Sequence, residues 1–173
     1  NLGVPGIMYL GGIAGLAGAF WYEFNFASPV PLVGLLISFV CALAAAMLAG
    51  LIYSFLTITL RANQNVTGLT LTTFGAGVAN FFGGAMNNMA GGVGQISVAV
   101  TSGAYRATLP FLSEVGLFSA LGFMVYLALI IAVVTSVFLS KTHKGLNLRA
   151  VGENPATADA AGISVVKYKY LAT

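Results

Sequence analysis

The chain has 173 residues, of which 58% are hydrophobic and 6% charged, with a mean hydropathy of +0.95; soluble domains carry about 25% charged residues. Its first 105 residues contain two charges, Glu23 and Arg61, which excludes a soluble fold, and its long unbroken apolar runs, in place of alternating segments of about ten residues, exclude a membrane barrel. The formal net charge of +3 comes from basic residues flanking apolar runs, with no interleaved aromatic platform, so it speaks for membrane orientation and against nucleic acid.

In chain order, residues 4–22 form a first 19-residue span, close to the roughly 20 residues that cross a hydrocarbon core of about 30 Å. Gly11 and Gly15, extended by Ala14 and Gly18, make a small-residue stripe that lets another helix approach closely. Residues 22–29 are an aromatic-rich connection suited to an interface. A second span, residues 31–60, is longer than one bilayer core and needs tilt or an extended end. Ala42, Ala46 and Gly50 give it a packing stripe of its own, and the single cysteine, Cys41, reads as a small packing residue.

Residues 61–68, RANQNVTG, interrupt the apolar sequence with a charge and three amides. Polar backbone at membrane depth survives where protein or water satisfies it, so such a break lines a translocation path or is an ordinary cytoplasmic loop. On the first reading Asn63, Gln64, Thr70 and Asn80 are candidate path-lining groups. Residues 68–84 are read as crossing once.

A glycine-, asparagine- and serine-rich stretch follows at 85–110. Its QISVAV core fits a strand or a short interfacial segment, and Asn87, Asn88 and Gln95 either face water from a surface loop or meet a solute. The extracytoplasmic segment is taken as 85–113. Residues 115–139 carry no charge and form the clearest transmembrane helix.

The stretch 141–166 holds five charged residues and the only histidine. Asn154 is a good N-cap, Pro155 suits the first helical position, and residues 155–161 make two turns that Gly162 can end in the left-handed conformation. If the preceding helix delivers Lys141 to the cytoplasm, parity puts Arg61, Lys141, Lys144, Arg149, Lys167 and Lys169 inside against Arg106 alone outside. That agrees with the positive-inside bias.

The phrase GLNLRAVGENPATADAAGISV at 145–165 closely resembles the cytoplasmic loop of permease subunits of bacterial ABC importers, in the branch for simple sugars, nucleosides and branched-chain amino acids. ITLRANQNVTGL and PFLSEVGLF resemble the nucleoside-type members. Pro5 departs from the glutamate expected in the early glycine-rich motif of many of these. The resemblance implies a single partial permease domain over 1–173 in the bacterial cytoplasmic membrane, multi-pass and a fragment of a longer permease, with 141–166 as a coupling loop whose short helix docks on a separate ATPase. It implies that Glu153, Asn154, Pro155, Thr157 and Asp159 form the docking edge, that Arg149 anchors the loop, and that Gly152 and Gly162 permit its turns; Asp159 reads equally as a solubilising charge. Implied partners are the ATPase, which would hold ATP and Mg, a second permease subunit and an extracytoplasmic solute-binding protein.

The chain itself has no Walker A phrase, no nucleophile motif and no metal-ligand cluster, its one histidine, His143, standing among lysines with no cysteine neighbour. It reads as a transporter subunit without catalysis or a cofactor. The alternatives are an ion-coupled secondary transporter, which lacks an intramembrane carboxylate or histidine, and a non-transporting scaffold, which gives no reason for so specific a loop.

Overall fold

The computed structural model describes residues 2–92, 96–106 and 122–173, and all their regular structure is helical. Contacts divide the chain into two units, Asn1–Ala107 and Thr108–Thr173.

In the first unit α1 (Val4–Asn25) is the middle helix, packed by one side on α2 (Pro31–Ser54) and by another on α3 (Gln64–Met89). The small-residue stripes do this work. A Cβ added to Gly11 would lie 3.2 Å from the Ala42 carbonyl oxygen, one on Gly15 3.1 Å from the Ser38 carbonyl oxygen, and one on Gly18 2.9 Å from Cys41 Sγ. Cys41 is thus a packing residue between helices. On the other side a Cβ on Gly75 would come within 2.6 Å of the Gly6 carbonyl oxygen, and the Thr72 hydroxyl donates to the Leu2 carbonyl at 2.6 Å. Close backbone approach replaces a hydrophobic driving force that lipid does not supply. Large apolar side chains such as Met8, Trp21, Leu32, Met47 and Phe81 point outward, as expected where the surroundings are hydrocarbon.

The second span is not one uniform helix. After Ser54 the ladder widens into a π-turn, Phe55–Thr59, and the chain leaves through Arg61 in the left-handed region (φ 53). The Ser54 and Thr57 hydroxyls donate to the carbonyls of Gly50 and Tyr53, each at 2.8 Å, the back-bonding that bends helices. The polar break at 61–68 therefore spends its first three residues on the turn. Asn63 Oδ1 then accepts the backbone N–H groups of Asn65 (3.0 Å) and Val66 (3.2 Å) and starts α3. This helix runs well beyond 68–84 at both ends, through the first five residues of the stretch read as a connection. At 26 residues it is some 39 Å long, enough to span a bilayer core, although its threonines, asparagines and glycines leave it less apolar than the three helices that qualify as spans by length and hydropathy among the described residues, Val4–Asn25, Pro31–Thr59 and Met124–Lys141.

Residues 99–106 form α4 (Ala99–Arg106), so the last two residues of QISVAV open a short helix and not a strand; residues 96–98 carry no regular structure, and Gln95 lies outside the described residues. Glu23 makes the helix possible: its carboxylate accepts the N–H of Thr101 at 2.7 Å and of Val100 at 3.4 Å. Thr101, 2% exposed, is pressed against Gly34 of α2, where an added Cβ would meet its Oγ1. The Tyr105 hydroxyl adds a bond to Ser38 Oγ at 3.3 Å.

In the second unit α5 (Phe123–Lys141) is the described part of the clearest span; residues 115–121 lie outside the described residues. Thr142 turns the chain, its hydroxyl donating to the Phe138 carbonyl (2.7 Å) and accepting the Gly145 N–H (3.0 Å). Then come α6 (His143–Glu153), α7 (Pro155–Ala160) and α8 (Val165–Ala172). Gly145 is required at this corner, because a Cβ there would collide with the Phe138 carbonyl.

Candidate functional site

Asn154 caps α7 as its chemistry dictates. Its Oδ1 accepts the N–H groups of Ala156 and Thr157, each at 3.1 Å, and Pro155 occupies the first turn. The helix ends in a Schellman arrangement: Gly162 at φ 80 donates to the Asp159 carbonyl (2.9 Å) and Ile163 to the Ala158 carbonyl (3.0 Å). Six residues cannot hold a helix alone, and α7 is fixed from below by Ala158, 4% exposed, while Val151 of α6 is likewise buried. Pro155, Thr157 and Asp159 are exposed, as are Glu153 and Asn154. A rigid, capped helix thus presents a polar edge.

Two expected roles in this loop differ from the structure. Gly152 is no turn residue; it lies in the last turn of α6 with open space around it. Arg149 is held only by an i,i+4 pair with Glu153 at 4.0 Å, with side chains 56% and 76% exposed, and such surface pairs hold little. The anchoring is done by residues that sequence reasoning passed over: Thr142, Gly145, and Asn147, whose Nδ2 donates to the Tyr168 hydroxyl at 3.0 Å. Thr142 three residues before Gly145, ahead of apolar positions Leu148 and Val151, is an N-cap signal that marks α6.

The second candidate region is α3. Thr70 and Asn80 fall on one exposed face with Thr73, Gly77 and Gly84, a spacing of three and four residues that repeats along LTLTTFGAGVANFFGG. The opposite face, Gly68, Leu71, Gly75 and Met86, is buried. Thr70 and Thr73 donate to the carbonyls of Val66 (2.9 Å) and Leu69 (3.1 Å), which leaves their oxygen lone pairs free to accept. Asn63 does not join this face, since its side chain is committed to capping, and Gln64, in the first turn, falls on the side of Gly68 and Gly75, nearly opposite this face. No residue of α3 is charged. A recess between α1, α2 and α3 is lined by Leu10, Ala14, Ala17, Leu48, Phe74 and Val78 among others, and these apolar side chains offer a polar solute no hydrogen-bond partner. Among the described residues no three His, Cys, Asp or Glu side chains gather as a metal site.

The family described as branched-chain amino acid transport system / permease component matches residues 1–173. The chain belongs to that family. It is 33% identical over 178 residues to a Haloferax volcanii protein provisionally named a glucose ABC transporter permease protein, TsgC13, covering 99% of this chain and 49% of the relative. It is 28% identical to the guanosine ABC transporter permease protein NupQ of Bacillus subtilis (99% and 52% covered) and 29% identical to the nucleoside ABC transporter permease protein NupC of Lactococcus lactis (98% and 52%). The chain spans about half the length of the curated relatives it matches. No solved structure matches it. Family membership and the apolar helices make this permease-family chain a multi-pass protein of the cytoplasmic membrane.

Proposed function

We propose that this chain is part of the transmembrane subunit of an ATP-driven importer for uncharged polar solutes, nucleosides or simple sugars, and that α7 is the contact through which a separate ATPase subunit drives it. The observation that carries this reading is the exposed α7, capped by Asn154 at its start and closed by Gly162 and Ile163 at its end. A short helix fixed at both ends transmits displacement as a unit, whereas a flexible loop would absorb it. On this reading Glu153, Asn154, Pro155, Thr157 and Asp159 meet the ATPase, which supplies ATP and Mg from its own chain. Closing of the ATPases biases the permease pair between outward- and inward-facing packings. A solute-binding protein delivers from the other side.

The substrate class draws support from α3. Hydroxyls and an amide without a charge suit a neutral, hydroxyl-rich solute and give the ammonium and carboxylate of an amino acid no partner of opposite charge. The names of the glucose, guanosine and nucleoside permeases it resembles point the same way.

The test is uptake of labelled nucleoside and sugar by proteoliposomes holding the full-length permease and its ATPase, with Glu153→Arg and Asn154→Ala beside wild type. Uptake that requires ATP and is lost in folded loop variants is the expected result. Flux without ATP, or loop variants indistinguishable from wild type, would sink the coupling assignment and favour a secondary transporter.

A further inference from the structure

The exposed face of α3 offers two different chemistries in succession. Near the start of the helix Thr70 and Thr73 floor a shallow recess of about 450 Å³, with Leu69 and Phe74 leaving the helix on either side of them. Both hydroxyls donate their proton to a carbonyl one turn back, so toward a solute they act as acceptors and call for hydroxyl donors. A sugar supplies those donors.

Further along the same face the floor is bare backbone. Gly77 and Gly84 lie on one line, and nothing stands within 4 Å of a Cβ added to either. Successive residues turn by about 100° around the helix, so Asn80 and Phe81 leave on opposite sides of that line. Phe81 is 72% exposed, its ring set edge-to-face with that of Phe82 at 5.4 Å between centroids. A planar ring can rest flat on the two glycines, one edge meeting the Asn80 amide and the other the Phe81 ring. The amide presents a donor and an acceptor side by side, the complement of a nucleobase edge. A second sugar would fare worse there, because the mid-helix backbone is already paired and leaves its hydroxyls without partners. Thr73 and Asn80 stand two turns apart, about 10.5 Å along the axis. One sugar ring cannot bridge them, whereas a sugar joined to a base reaches both.

We infer that this face of α3 is a nucleoside site, in which Thr70 and Thr73 receive the sugar hydroxyls and Gly77, Asn80, Phe81 and Gly84 hold the base. The inference rests on the reading of this face as lining the solute path, and it selects nucleosides over simple sugars and makes Asn80 the residue that reads the base.

The experiment takes the full-length permease with its ATPase in proteoliposomes, irradiates it with radiolabelled 8-azidoadenosine and maps the attached label by peptide mass spectrometry. Unlabelled adenosine and ribose serve as competitors, and ATP-driven uptake of adenosine and of glucose is measured on the same vesicles. Label is expected on α3 around Asn80 and Phe81, cleared by adenosine at a concentration at which ribose leaves it in place. Asn80→Leu and Gly77→Leu should each lower labelling about tenfold, the worth of one base-reading contact, and Asn80→Gln, which keeps the amide, should retain part of it. Thermal unfolding confirms that each variant is folded; both positions are exposed, and Gly77 has open space around it. Label confined to other segments, equal competition by ribose and adenosine, or undiminished labelling in folded Asn80→Leu and Gly77→Leu overturns the inference. ATP-driven uptake of glucose without adenosine-protected label on α3 sinks the nucleoside site and keeps the importer. Protected label at Asn80 with flux that ignores ATP does the reverse, upholding the site and removing the importer reading.

Discussion

Glu23 near the end of α1 and Thr101 in the first turn of α4 lie 78 residues apart in sequence and are joined by a 2.7 Å hydrogen bond from the Thr101 N–H to Glu23 Oε1. The bond does for α4 what Asn63 and Asn154 do for α3 and α7, but the capping side chain comes from a different helix. A segment with no cap of its own is thereby both started and fastened to the bundle.

Removing that carboxylate should loosen α4 selectively. Glu23→Ala is expected to cost about 1 to 2 kcal/mol locally, the usual worth of an N-cap, which speeds amide exchange across residues 99–106 by about 5- to 30-fold. Glu23→Gln keeps an acceptor oxygen and should recover most of the protection. Hydrogen exchange with peptide-level readout decides it; equal exchange rates in Glu23→Ala and wild type would remove Glu23 from this role.

The interface between α1 and α3 predicts a sharp contrast between two glycines of one helix. Gly75→Ala puts a methyl 2.6 Å from the Gly6 carbonyl oxygen, a backbone atom that moves only if the helices part. A loss of about 1 to 3 kcal/mol follows, as for other overpacked sites. Gly77→Ala has nothing within 4 Å of the new methyl and should leave stability equal or slightly higher, since alanine favours helix. Thermal unfolding of the two variants in the same detergent checks the order, and a Gly75→Ala protein as stable as Gly77→Ala contradicts the close approach.

Spans, caps and small-residue stripes were legible because each depends on neighbours in sequence. Asn154, Pro155 and Gly162 act within one short segment, and Gly11 with Gly15 declares a packing face whatever the partner. What the residues could not announce depends on distant partners. α4 needs Glu23 from far upstream, and the π-turn at Phe55–Thr59 looks in sequence like more of the same apolar helix. Gly152 illustrates the opposite failure: glycine in a polar loop suggests a turn, yet α6 continues through it. Among the candidate path residues, Thr70 and Asn80 share one exposed face of α3 at helical spacing, whereas Asn63 is equally polar but committed to a cap.

The two glycines that bracket α7 should therefore behave differently. At Gly162 the φ of 80 is a conformation in which a Cβ crowds the following carbonyl, at roughly 1 to 2 kcal/mol for an ordinary residue. The strain falls on the two bonds that close the helix, from Gly162 and Ile163 to the carbonyls of Asp159 and Ala158. Gly162→Val is thus expected to expose the amides of residues 162 and 163 to faster exchange and to fray α7, with Gly162→Asn milder because asparagine tolerates this region. Gly152→Ala, helical and with open space at its Cβ, should leave those amides as protected as in wild type or better. Hydrogen exchange read at residues 155–163 in the three variants settles the difference. If Gly152→Ala frays α7 as much as Gly162→Val does, the turn belongs before the helix and the Schellman closure is not what holds it.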